Sequence, residues 1–271
     1  MNFGGGEFVQ ESMAQPSVSF VIIAIGAKYV DMAVKLCSSI DEYFADSFEL
    51  VVFTDDLAKF SFPTFKTNIK LVETESLKWP EATLFRFHLI STNKDQLLGK
   101  YILYIDADTI LKKRMTVADL FSLDLEMSFV QHPGTFRRGL LRYAYKRLVK
   151  PSWETNRTSM SYVPWFRRRH YVYGGIWGGR REQVLSMCSL LRESIDADLA
   201  IDFYPKSYDE SYLNCWVSMN KKWNLLSPRF AYAEEFPWLR SISDPFIVVV
   251  NKPSDIVDEK KSLEKNENRF K

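Results

Sequence analysis

The sequence predicts an α/β domain with a mostly parallel central sheet flanked by helices, and three observations carry that reading. Strand-length apolar runs alternate with a helical pattern over the first 110 residues. One of these runs, Tyr101–Ile105, is continuously apolar and ends abruptly in Asp106-Ala107-Asp108. Of the 271 residues, 46% are hydrophobic and 15% aromatic, enough for one sizeable core. Strands buried on both faces read as unbroken apolar runs in parallel sheets, and ligands of such sheets bind just beyond the C-terminal strand ends.

Taken in order, Ser17–Ile25 reads as the first strand, closed by a turn at Gly26. Tyr29–Phe44 follows, with Val30, Ala33, Val34, Cys37, Ile40 and Phe44 at helical spacing. Phe48–Thr54 is a second apolar strand, and the Asp55-Asp56 pair after it reads as a solvated strand end. Lys66–Glu73 is a third strand, and Thr83–Thr92 a helix leading into the Asp106 strand. This β-α-β alternation implies a parallel, nucleotide-binding type of sheet. Further along, Tyr173-Gly174-Gly175-Ile176-Trp177-Gly178-Gly179 reads as a Gly-rich turn whose backbone comes close to a ligand. Glu182–Ile195 has a helical pattern, Ser207–Val217 reads as a helix opening on Asp209-Glu210, and Pro245–Val250 is strand-like.

Asp106 and Asp108, at i and i+2, point the same way on extended backbone. Left unpaired, the two carboxylates would repel and resist burial. A divalent cation carrying a nucleotide diphosphate resolves that conflict; a turn or a solvated loop end is the competing reading. The net charge of +2, from 36 basic and 34 acidic residues, gives no global case for nucleic acid. Cys37, Cys188 and Cys215 lack metal-ligand spacing and read as reduced thiols of a reducing compartment. No apolar run reaches membrane-spanning length. Residues 1–16 read as a disordered leader and 255–271 as a flexible charged tail. Asn156-Arg157-Thr158 reads as a chance match to a glycosylation acceptor. Gly134–Arg169 interleaves Arg137, Arg138, Arg142, Lys146, Arg147 and Arg167–Arg169 with aromatics. It reads as a loop that orders on ligand binding, with a solvated helix face or a peripheral membrane contact as alternatives.

Together these segments resemble glycosyltransferase family 6, the group of the blood-group A and B transferases and the α-1,3-galactosyltransferases. The resemblance runs in the family's order through Ala24–Tyr29, Val52-Phe53-Thr54-Asp55, Trp79, Thr83-Leu84-Phe85-Arg86 and Asp106-Ala107-Asp108 as its DxD. It continues through His132-Pro133, Ser161-Tyr162-Val163-Pro164, Gly174–Gly179, Asp209-Glu210-Ser211, Leu226-Ser227-Pro228 and Lys252. What the resemblance implies is a GT-A nucleotide-sugar transferase fold in one domain over 17–254, with a UDP-binding half (17–110) and an acceptor-binding half (111–254). The implied reaction is retaining transfer of N-acetylgalactosamine, or galactose, from the UDP-sugar to the 3-hydroxyl of a galactose-containing oligosaccharide or glycolipid, in an α-1,3 linkage.

The resemblance also implies roles. Asp106 and Asp108 would hold Mn²⁺, with Mg²⁺ as the alternative, against the diphosphate. Ala24, Ile25 and Tyr29 would line the uridine site; Arg86, Ala107, Gly174, Gly175, Asp209 and Lys252 would complete the donor contacts. Glu210 matches the catalytic carboxylate, as nucleophile or as stabiliser of an oxocarbenium-like state. His132, Trp177 and Tyr208 would line the acceptor side, with core packing as the competing reading for Trp177. The Gly174-Gly175 pair would leave room for an acetamido group beside the donor sugar's C2, unless Tyr173 refills it. Tyr208 stands where the animal enzymes usually carry His, and Ala233, followed by Glu234, stands where an Asp is expected. Both DxD aspartates are kept, unlike in several bacterial members, so metal dependence is expected. The missing anchor points to a soluble, cytoplasmic enzyme of bacterial or phage type. The rival readings are another retaining GT-A transferase, of the glycogenin or lipopolysaccharide type, and a non-catalytic sugar-nucleotide binding protein.

Overall fold

The computed structural model describes residues 15–60, 67, 69–136, 144–145, 148–149 and 151–251. The expected charged tail, Lys252, all but the last two residues of the expected leader and most of the basic stretch between 137 and 150 lie outside the described residues. The central sheet contains β1 (Val18–Ala24), β2 (Phe48–Thr54), β3 (Ile69–Glu73), β4 (Tyr101–Ile105), β6 (Met127–Gln131), β7 (Val172–Arg180) and β8 (Trp223–Leu226). Their spatial order is β3-β2-β1-β4-β7-β6-β8. The first four are mutually parallel, β7 runs antiparallel to both β4 and β6, and β8 is parallel to β6. A small sheet of β5 (Thr109–Leu111), β10 (Ile247–Val249) and β9 (Tyr232–Ala233) sits beyond the end of β4.

The apolar alternation along each strand decides which helix it meets. Phe20, Ile22 and Ala24 of β1, with Leu103 and Ile105 of β4, share a core with α1 (Ala27–Tyr43). Val21, Ile102 and Tyr104 face the other way. There they pack with α3 (Arg86–Thr92), α5 (Arg181–Leu199) and α6 (Tyr208–Met219). Both faces of β1, β2 and β4 are covered, as their continuous apolar runs predict. No helix among the described residues is long and apolar enough to cross a membrane.

Two expectations are corrected. The helix expected over Thr83–Thr92 is broken at Phe85 into α2 (Glu81–Leu84) and α3, so Arg86 opens the second helix rather than sitting inside one. The Gly174–Gly179 segment is not a turn but the middle of β7, and the one described glycine at positive φ is Gly26. These glycines serve close approach instead. A Cβ on Gly178 would stand 2.3 Å from the Ile102 carbonyl oxygen, so only glycine lets β7 lie this tightly on β4.

Candidate active site

The β7 backbone organises the acidic side chains at the C-terminal end of the sheet. The Asp106 N–H donates to the Gly175 carbonyl at 2.8 Å, which places the end of β4 against β7. The Gly174 N–H donates to Glu210 Oε2 at 2.9 Å. The Gly174 carbonyl accepts from Arg86 Nη1 at 2.9 Å and from Trp177 Nε1 at 3.0 Å. Arg86 then lies between two carboxylates, 3.2 Å from Asp209 Oδ2 and 3.5 Å from Asp106 Oδ1. The backbone of these two glycines thus ties together residues that are more than a hundred positions apart in sequence.

Asp209 and Glu210 fall in the first turn of α6, where the helix dipole favours negative charge. The helix is pinned to β7 by fully buried Asn214. Its side chain accepts from Val172 N–H at 2.8 Å and donates to the carbonyls of Val172 (3.0 Å) and Glu210 (2.9 Å). Tyr208, just before the acids, sits at φ 44°, a left-handed conformation uncommon for a bulky residue. Its ring meets Trp79 edge-on at 4.7 Å.

Asp106-Ala107-Asp108 lies in the turn between β4 and β5 rather than on extended backbone. Thr109 Oγ1 closes this turn by donating to the Asp106 carbonyl at 2.7 Å, and Val250 N–H donates to the Asp108 carbonyl at 2.7 Å. Buried Tyr104 donates its hydroxyl to Asp106 Oδ1 at 2.6 Å, and the Arg86 guanidinium lies 4.7 Å over its ring. Burial opposes the Arg86 charge, but Asp209 leads a set of neighbours that hold the guanidinium protonated, its pKa raised. Tyr173 is pushed well above the ordinary phenol range, first by burial and then by the charges of Asp106, Asp108 and Glu210. Burial does the same to Tyr171, which hydrogen-bonds Glu210. Both phenols therefore stay neutral beside the acids.

His132, at the end of β6, accepts the Gly134 N–H on Nδ1 at 2.9 Å. A neutral ring accepting there carries its proton on Nε2, which lies 4.0 Å from Glu210 Oε1. As metal donors, Asp106 and Asp108 are two hard oxygens, and no group of three His, Cys, Asp or Glu side chains able to hold a metal occurs among the described residues. Such a pair suits a hard divalent ion that fills its remaining positions with phosphate and water oxygens.

The model of glycosyltransferase family 6 matches residues 8–259. The chain belongs to this family.

Its family relatives include the O-antigen biosynthesis glycosyltransferase WbnI of Escherichia coli, 26% identical over 62% of this chain and 68% of that protein. Histo-blood group ABO system transferase 2 of Rattus norvegicus is 21% identical over 83% of this chain and 66% of its own length. Globoside alpha-1,3-N-acetylgalactosaminyltransferase 1 of Mus musculus is 23% identical over 86% of this chain and 66% of its own length. The chain spans about two thirds of each of these relatives.

Of the residues that the family resemblance singles out, Asp106, Ala107, Asp108, Arg86, Gly174, Gly175, Asp209, Glu210 and His132 are gathered at this one end of the sheet. Ala24, Ile25 and Tyr29 lie at the end of β1 and the start of α1, and the Gly26 N–H between them donates to Asp55 Oδ1 at 2.9 Å. Asp55 is thus a turn staple, more than a solvated strand end. Trp177 is a correction. It is 1% exposed, stacked on Tyr104 at 5.0 Å with Phe87 5.6 Å away, and offers no face to a sugar. Glu234 is exposed, while Ala233 is buried in β9. Sequence reasoning missed Tyr104, Tyr171 and Asn214 as site-building residues. Tyr104, two residues before Asp106 on a parity-2 strand, carried a usable signal; the other two are revealed only by the packing of α6 on β7.

Proposed function

We propose that this chain is a retaining transferase that moves N-acetylgalactosamine, with galactose as the alternative, from its UDP-sugar to the 3-hydroxyl of a galactose-containing acceptor, giving an α-1,3 linkage. The observation that carries the reading is the Gly174-Gly175 backbone, which joins Glu210, Arg86 and Asp106 into one acidic surface beyond the strand ends. The names of the relatives, an O-antigen glycosyltransferase, a blood-group transferase and an α-1,3-N-acetylgalactosaminyltransferase, support the same class.

In this reaction the bond from C1 of the sugar to the diphosphate breaks and its electron pair leaves with UDP. Positive charge grows at C1, and Glu210 faces it, either bonding to C1 until the acceptor oxygen displaces it or stabilising the cation during same-face attack. As the new C–O bond forms, the acceptor hydroxyl gives its proton to the departing diphosphate oxygen of UDP. His132 Nε2–H would hold an acceptor oxygen, and Arg86, paired with both Asp209 and Asp106, would keep them at fixed separation. Asp106 and Asp108 are the residues that would hold Mn²⁺, or Mg²⁺, whose chemistry is to neutralise the charge developing on the diphosphate.

The steric case for N-acetylgalactosamine rests on Gly174. A Cβ on Gly175 would lie 2.3 Å from Asp106 Oδ2 and 2.6 Å from the Tyr173 ring, so protein atoms already fill that space. A Cβ on Gly174 would stand 3.3 Å from Asp209 Oδ2 and from Glu210, a looser fit than at Gly175 though still closer than ordinary van der Waals contact, and beside the two carboxylates. Initial rates with the two donors test the choice, and a clear preference for UDP-galactose sinks it. For the reaction class, Glu210→Gln should lower kcat by about 10²–10³-fold while UDP binding persists. Near-normal turnover in that variant would favour a transferase of the glycogenin or lipopolysaccharide type.

A further inference from the structure

Six of the large apolar side chains exposed on the described surface fall in one stretch of chain: Tyr145, Leu148, Val149, Met160, Trp165 and Phe166. Trp165 (61% exposed) and Phe166 (53%) form the tip of the 3-10 turn Trp165–Arg167, with ring centroids 6.0 Å apart. Arg157, Arg167 and Arg169 are exposed in the same stretch. The acid between residues 151 and 171 is Glu154, and it is buried, accepting from the backbone N–H groups of Thr155, Asn156 and Lys206. Its charge is thus taken up by backbone donors within the fold. The turn is held firmly from below. Val163, Trp153 and Tyr171 make a small buried core, and Arg168 Nε donates to the Val163 carbonyl at 2.9 Å.

We propose that the Trp165–Arg167 turn is a membrane-docking surface, which sets Trp165 and Phe166 at the headgroup–acyl boundary of an anionic bilayer while Arg157, Arg167 and Arg169 meet its headgroups. Aromatic tips flanked by basic residues are the composition of interfacial anchors, and each arginine near an anionic surface adds to the attraction. Single-stranded nucleic acid would also use arginine and aromatic faces. The exposed aliphatic Met160, whose carbonyl meets Cys215 one helical turn before Met219 and so lies on the same side of α6 as Arg167, has no face to stack on a base but suits an acyl layer, so the bilayer is favoured. Arg167 Nη1 contacts Met219 at the last turn of α6, whose first turn carries Glu210. Those two residues are nine positions apart, about 14 Å along the helix. Docking here would hold the candidate site a short distance above a lipid-borne acceptor. The docking itself goes beyond the transferase reading and does not depend on it.

The test is co-sedimentation of the full chain with vesicles of phosphatidylcholine alone or mixed with phosphatidylglycerol, a readout that needs no turnover. The expected result is binding to the anionic vesicles only, weakening as salt rises. The double variant Trp165→Ser/Phe166→Ser should lower affinity by about tenfold or more. Arg167→Glu/Arg169→Glu should lose binding at low salt, and both variants should keep the wild-type melting midpoint. Wild-type protein that stays in the supernatant with both vesicle types overturns the proposal, as do variants that bind like the wild type. Tighter binding to a single-stranded oligonucleotide than to vesicles, lost in the same variants, would also overturn it and assign the surface to nucleic acid.

Discussion

Buried carboxylates stand at both ends of the parallel strands, and the two groups are built differently. At the N-terminal end, Glu49 is 8% exposed at its side chain and takes donors from Ser19 Oγ, the N–H groups of Leu98 (2.6 Å) and Gly99 (3.2 Å), and Lys70 Nζ (2.7 Å). It stitches together the entries of β1, β3 and β4 and is closed on all sides. At the C-terminal end, Asp106, Glu210 and Asp209 converge with side chains 24%, 18% and 12% exposed. Tyr104 and Arg86 donate to Asp106, Arg86 also pairs with Asp209, and the Gly174 N–H donates to Glu210, which Tyr171 bonds as well. An acid surrounded by its own donors is a staple. Acids gathered together and left partly open are poised for a cation and a ligand.

The comparison predicts opposite consequences for similar substitutions. Glu210→Gln and Asp106→Asn should each lower kcat by about 10²–10³-fold, with a melting midpoint equal to or above wild type, because crowded acids trade stability for function. Steady-state UDP release and a thermal melt on the same samples check both halves. Next in size, Glu49→Gln should lose about 2–3 kcal/mol of stability in denaturant unfolding, with kcat of the folded fraction unchanged. A reversal of these two patterns breaks the distinction.

Gly175→Ala sharpens it. The new Cβ would meet Asp106 Oδ2 at 2.3 Å and displace the carboxylate, so kcat should drop by roughly tenfold. Gly174→Ala, at 3.3 Å from its neighbours, should be milder. The smallest effect involves neither cluster. Burial pushes the Cys37 thiol from 9.0 up to about 12. The unfolded chain gives up this proton at lower pH than the folded one, so the contribution to stability is whole below pH 9 and is lost as pH rises toward 12. Cys37→Ala should flatten part of the alkaline fall in melting temperature; an unchanged slope would place that fall elsewhere.

The sheet end was legible in the sequence because its signals are local. The unbroken Tyr101–Ile105 run announces a doubly buried strand, and the Asp106 and Asp108 carboxylates mark where it meets solvent. Asp209-Glu210 before a helical pattern likewise marks a helix start. The Gly174–Gly179 strand was hidden because strand propensity discounts glycine, while the reason for those glycines is the nearness of β4 and β6, more than 40 residues away in sequence. Trp177 was ambiguous for the same cause. Only the fold shows that Tyr104 and Phe87 cover it and that its indole N–H serves the Gly174 carbonyl. Tyr171 and Asn214 act across the β7–α6 contact, which no window of sequence contains.

The central claim is that Asp106, Asp108 and Glu210 form one metal-dependent transfer site, and UDP release tests it most directly. Wild-type protein is given UDP-N-acetylgalactosamine or UDP-galactose, with and without Mn²⁺, in the presence of lactose or 2'-fucosyllactose. The account predicts turnover that requires the metal, rises with a galactose-terminated acceptor and falls by about 10²–10³-fold in both Asp106→Asn and Glu210→Gln. Turnover of equal rate without any divalent ion, unaffected by Asp106→Asn, would contradict it.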